Sequence, residues 1–120
     1  MPKILTDTYR NATFFVPYTD DKSEGFFVKP VTETDLLKIR IDAAKEAGAD
    51  NDLADVIARR LVLQRHVQSW QGFFDVAGNE IPCTPEAIKE VCECDPAFAD
   101  GMAMRVRSVA RIGELEEQKN

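Results

Sequence analysis

Six of the seven phenylalanines in this chain stand in adjacent pairs, Phe14-Phe15, Phe26-Phe27 and Phe73-Phe74, each within a short stretch that reads as β-strand. Side chains of neighbouring strand residues point to opposite faces, so each pair sends one ring toward the core and the other away from it. A sheet built from these segments needs cover on both faces. A chain of 120 residues has length for one helical layer and little more, and aromatic rows left without cover mark contact surfaces. The expectation is a protein that works by binding other proteins, with Phe14, Phe15, Phe26, Phe27, Phe73, Phe74 and the adjoining Val28 as candidate binding residues. Alternation alone does not say which ring of a pair faces outward, so both members stand as candidates.

Punctuation along the chain supplies the elements. Ala12 to Tyr18 and Gly25 to Pro30 flank the polar, turn-forming stretch Thr19 to Glu24 and read as a hairpin. Thr32-Glu33-Thr34-Asp35 has the form of a capping box, opening a helix over 33–47 that stops at Gly48. Its apolar face takes in Leu36, Leu37, Ile39, Ile41, Ala43, Ala44 and Ala47. Asp50 caps a second helix through Leu53, Val56, Ile57, Leu61, Val67 and Gln68, predicted to run to Ser69. Trp70 to Asp75 and Glu80 to Pro82, around Val76-Ala77-Gly78-Asn79, read as a second, shorter hairpin. Trp70 is expected as a packing wedge against Ile81 and one ring of Phe73-Phe74. Thr84-Pro85 and Asp95-Pro96 each pair a capping side chain with a proline at the first helical position, which predicts two more helix starts. Ile88, Val91 and Cys92 line the shorter of these helices, and Phe98, Met102, Val106, Val109 and Ile112 the last. The fold class is therefore α+β: about four helices packed with two short antiparallel β-hairpins. Residues 12–113 form a single domain, preceded by a loose arm at 1–11 and followed by a frayed charged tail at 114–120.

Composition narrows the partners. A net charge of −6 opposes attraction to phosphate backbones and anionic lipid, so neither nucleic acid nor membrane is expected as a partner. The basic groups Arg59-Arg60 and Arg105-Arg107-Arg111 leave a small DNA-binding regulator as a rival reading. No apolar run reaches the length of a membrane span, and the first residues lack a signal-peptide apolar region, which points to the cytoplasm. Three cysteines without an export signal read as reduced thiols. Cys83, Cys92 and Cys94 with the lone His66 would make a Cys3His inventory, but Cys-x-Cys lacks the usual spacer of a structural zinc site. No glycine-rich phosphate loop, nucleophile elbow or His-Glu-x-x-His motif is present, so no enzyme and no cofactor is expected.

The segment from Val67 to Glu86, with Trp70-Gln71-Gly72, Asp75, the Gly78 turn, Ile81-Pro82 and Thr84-Pro85-Glu86, resembles tail assembly chaperones of long-tailed bacteriophages, and Phe26-Phe27-Val28-Lys29-Pro30 before a helix fits the same family. The resemblance covers about half the chain and is structural, not catalytic. It implies a helix-rich chaperone that binds the phage tape-measure protein and recruits tail-tube protein subunits in the cytoplasm of the bacterial host. Self-association into a homo-oligomer would shelter the aromatic rows while no client is bound. A permanent neck or tail-completion protein of the particle would use the same aromatic surface.

Overall fold

Capping groups in the sequence fix where the helices begin. The computed structural model describes residues 12–19 and 23–108, together with Thr6. Four helices form: α1 (Glu33–Ala47), α2 (Asn51–His66), α3 (Pro85–Cys94) and α4 (Pro96–Arg107). The Thr32 hydroxyl accepts from Asp35 N at 3.1 Å while the Asp35 carboxylate accepts from Thr32 N at 3.0 Å, a complete capping box. Asp50 and Thr84 accept from Leu53 N and Ala87 N in the same way. Asp95 serves two helices. Its N–H closes α3 on the Val91 carbonyl at 2.8 Å, and its carboxylate accepts from Phe98 N at 3.2 Å to open α4. The chain therefore turns from α3 into α4 on a single residue.

Three strands, β1 (Phe14–Pro17), β2 (Gly25–Val28) and β3 (Val67–Gln71), form one antiparallel sheet in the order β1-β2-β3. Of the two separate hairpins expected from the sequence, the first forms as β1–β2, and β3 joins it on the β2 side to make one three-stranded sheet. Phe26 pairs with Val16 on one side and with Trp70 on the other. α2 stops at His66, short of Ser69, where the Val67 N–H closes the helix on the Leu63 carbonyl and the chain continues directly into β3. The misreading has a physical source. The β2–β3 register shifts between Phe27 and Val28, and this bulge breaks the period of two. Val67 and Trp70 both face the core while Gln68 and Ser69 face out, a spacing of three that imitates a helix. Beyond β3, the expected second hairpin is reduced to a short pairing around the antiparallel bridge between Phe74 and Glu80, flanked by the bonds from Asp75 N to the Asn79 carbonyl and from Ile81 N to the Phe73 carbonyl.

One face of the sheet supplies Val16, Phe26, Val28 and Trp70 to a core completed by Ile39, Val62, Leu63, Met102 and Val106 from the helices. α2 lies at the centre, with α1 along one side and α3 and α4 along the other. His66, buried at its end, donates from Nδ1 to the Lys29 carbonyl at 3.2 Å, and Lys29 N returns a bond to the His66 carbonyl at 2.9 Å. That exchange ties the exit of β2 to the exit of α2. Three residues of the expected α1 core stripe, Leu37, Ile41 and Ala44, project to solvent. Ile39 and Ala43 carry the buried face. No described helix is long and apolar enough to cross a membrane. Val109, Ile112, the tail at 114–120 and all of the arm but Thr6 lie outside the described residues.

Candidate protein-binding groove

The Phe pairs divide by face, as alternation requires, and the pairs end in different places. Phe26 and Val28 have no exposed surface, so both lie beneath a contact face and not on one. Phe14 is half-buried and packs against the same core. Phe15 and Phe27 oppose each other on the other side of the sheet, with ring centroids 5.0 Å apart. The Phe15 ring lies over Gly25, where an added Cβ would sit 2.5 Å from Phe15 Cζ. The third pair stands apart from the sheet. Phe73 is buried, whereas Phe74 is 59% exposed.

Residues 72–82 place that third pair. After β3, Gly72 takes a φ of +79° and turns the chain so that the Phe73 ring folds under it. Phe73 meets Trp70, Phe98 and Tyr18 edge-on, at centroid distances of 5.5, 5.1 and 5.8 Å. Such edge-to-face contacts suit the charge distribution of aromatic rings. The Trp70 indole N–H donates to the Ile81 carbonyl at 2.7 Å, and Ile81 N donates to the Phe73 carbonyl at 2.9 Å. Trp70 is thus a wedge between β3 and the returning segment, packed on Ile81 and Phe73. At the tip, one oxygen of Asp75 accepts from both Ala77 N and Asn79 N at 2.9 Å, while Asp75 N donates to the Asn79 carbonyl at 2.9 Å. These bonds hold the loop in one shape and lift Phe74 and the fully exposed Val76 into solvent.

Facing this loop across open space stands α3. Between them runs a groove of 970 Å³ whose floor is Tyr18, Phe73 and Phe98 and whose walls include Phe74, Val76, Ile81 and Val91. Its lining also holds six carboxylates, Glu24, Asp75, Glu80, Glu86, Glu90 and Asp95, and no lysine, arginine or histidine among the described residues. Tyr18 is held from behind by Arg105, whose guanidinium carbon lies 4.6 Å from the ring centroid. Of the sequence candidates, Phe73 and Phe74 line this groove, while its other lining residues Tyr18 and Val76 and its carboxylates were not among those candidates. The available signal was Glu86 and Glu90, four residues apart on one face of α3.

The other sequence candidates settle elsewhere. Cys83 is half-buried, Cys92 buried and Cys94 exposed on the groove wall. Loss of water contact raises the thiol pKa of Cys83 and Cys92, and for Cys92 the nearby Arg59 and Arg60 pull partly the other way. Among the described residues no group of three or more His, Cys, Asp and Glu side chains gathers to hold a metal ion. Arg60 bonds Glu46 and Arg65 bonds Asp42 across the α1–α2 seam. Arg59 lies in a separate 460 Å³ cleft between α1, α2 and α4, with Asp100 4.0 Å away. Arg105 donates to the Gly101 carbonyl at 3.0 Å, and Arg111 lies outside the described residues.

Comparison with protein-family models, curated proteins and solved structures finds no match for this chain.

Proposed function

We propose that this chain is a non-catalytic protein-binding chaperone whose client seats in the groove between the 72–82 loop and α3. One observation carries the reading. Phe74 and Val76 are raised into water by a loop locked through Asp75, opposite an aromatic floor, and an apolar lip of this kind is stabilised when another apolar surface covers it. The segment that resembles phage tail assembly chaperones, Val67 to Glu86, is the one that builds β3, the loop and the first turn of α3. On that likeness the client is the tape-measure protein of a long-tailed phage, held in the host cytoplasm while tail-tube subunits are brought to it. Phe15 and Phe27, on the far side of the sheet, offer a second surface for tube subunits or for another copy of this chain.

Arg60 and Arg105 are engaged inside the fold, and Arg59 and Arg107 line a cleft shared with Asp55 and Asp100; carboxylates interleaved with the cations weaken the regulator reading, since a helix that reads DNA presents cations along one side.

Coexpression tests the proposal. The tape-measure protein encoded with this chain should be recovered in soluble complex with it, and Phe74→Ser with Val76→Ser should lower the affinity by about 1.5–3 kcal/mol, or roughly 10- to 150-fold. An undiminished complex with the double variant would remove the groove from the mechanism. Mass spectrometry of purified particles separates a chaperone, absent from them, from a neck or tail-completion protein, present in them.

A further inference from the structure

From the charge of the groove we infer the chemistry of what it takes: a segment of a partner protein that presents one or two bulky apolar side chains flanked by lysine or arginine. This deepens the protein-binding reading above and rests on it.

The charges in the groove lining are out of balance. The chain has 15 basic and 21 acidic residues, so a lining with six carboxylates would carry about four cations if charges were scattered evenly. It carries none among the described residues. Three of the six are occupied locally: Asp75 and Asp95 accept backbone N–H groups, and Glu24 accepts from the Thr19 hydroxyl. Glu80, Glu86 and Glu90 are exposed and make no ion pair within the described chain. They stand on both walls, Glu80 on the loop and Glu86 and Glu90 on α3. An apolar anchor lying on Tyr18, Phe73 and Phe98 would therefore have carboxylates on either side of it.

Electrostatic complementarity of this sort governs specificity and encounter rate more than raw affinity. An acidic segment would meet like charge along both walls, and a neutral one would gain only the apolar contact. A basic segment gains the apolar contact and several exposed ion pairs, each modest and each weakened by salt. Lysine or arginine beside the anchor would also reach the exposed face of Phe74, where a cation over an aromatic ring is favoured.

The test uses the full chain and three synthetic peptides of about 16 residues, long enough for an apolar stripe of about four turns. The first carries leucine and tryptophan anchors with flanking lysines, the second replaces the lysines with glutamates, and the third keeps the lysines but has alanine anchors. Affinities are read by fluorescence anisotropy at ionic strengths of about 0.01 M and about 0.15 M. The lysine peptide with anchors should bind at least about tenfold tighter than the glutamate peptide at low salt, as three exposed ion pairs allow, with the gap narrowing at high salt. Loss of the anchors should weaken binding at both salts.

Glu80→Gln, Glu86→Gln and Glu90→Gln together keep side-chain shape and should reduce the discrimination to under about threefold. Asp52→Asn, Asp55→Asn and Glu93→Gln, three charges outside the groove, should leave it intact. Equal binding of the lysine and glutamate peptides would overturn the inference, and so would equal loss in both triple variants, because the preference would then belong to net charge. The two readings fail separately. If the lysine and glutamate peptides bind equally well and Phe74→Ser weakens both, the partner chemistry is wrong and the groove stands; if Phe74→Ser weakens neither, the groove itself falls.

Discussion

Gly72 and Gly78 have nearly the same backbone requirement and very different surroundings, which makes them a matched pair for testing how the groove loop is held. Their φ values are +79° and +87°, a region that costs a side chain with a Cβ about 1–2 kcal/mol. Replacing glycine by alanine also restricts the unfolded chain, which returns about 0.4–1 kcal/mol. For Gly78→Ala nothing lies within 4 Å of the added Cβ, so those two effects are the whole account and the net loss should be roughly 1 kcal/mol. For Gly72→Ala the new Cβ would lie 2.5 Å from the Ser23 carbonyl oxygen and 3.1 Å from Glu24 Cα. Both obstacles are backbone, and they belong to the turn that enters β2 at Gly25. Moving that turn costs about 1–3 kcal/mol more, in the range seen for overpacked sites. Gly72→Ala should therefore lose about 3 kcal/mol in total and stand about 2 kcal/mol below Gly78→Ala. Urea denaturation reads the difference directly, and thermal melts should separate the pair by roughly 8 °C, at about 4 °C per kcal/mol for a domain of this size. Equal stabilities for the two variants would refute the idea that the 72–82 loop is seated against the β1–β2 turn.

Three further outcomes are expected. Trp70→Phe removes the bond to the Ile81 carbonyl and part of the ring volume, and should lower stability by about 2–3 kcal/mol in the same denaturation assay, with a loss below about 0.5 kcal/mol counting against the wedge. With a thiol reagent at pH 8, exposed Cys94 should react first and Cys83 and Cys92 later, because their raised pKa values leave less thiolate at that pH; a bound client should slow Cys94 selectively, since it lines the groove. Phe27→Ser strips the partner of Phe15 and should reduce oligomer size in light scattering while circular dichroism keeps its helical signal; a wild-type chain that is monomeric at micromolar concentration would end the case for self-association through this face.

Most of the helical framework was legible because helix starts are local events. Thr32 with Asp35, Asp50, Thr84-Pro85 and Asp95-Pro96 each act within a few residues, satisfying backbone groups that no distant part of the chain can reach. The strands were harder. Phe14-Phe15 and Phe26-Phe27 pair as a hairpin, but the partner on the other side of β2 comes from the end of α2, and a bulge gave that segment the spacing of a helix. Phe73-Phe74 looks like its two counterparts in sequence but lies outside the three strands, paired only through the short bridge of Phe74 with Glu80.

What the residues alone determined is the class of element each stretch adopts where capping and alternation agree, together with the fact that three aromatic pairs must each divide between two surroundings. Tertiary structure decided which ring of a pair is covered, that β3 completes one sheet in place of a second hairpin, and that loop, sheet and α3 together shape an acidic apolar groove. Caps act through bonds to neighbours a few positions away. Burial and charge density are sums over segments remote in sequence, and they acquire values only when those segments are brought into contact.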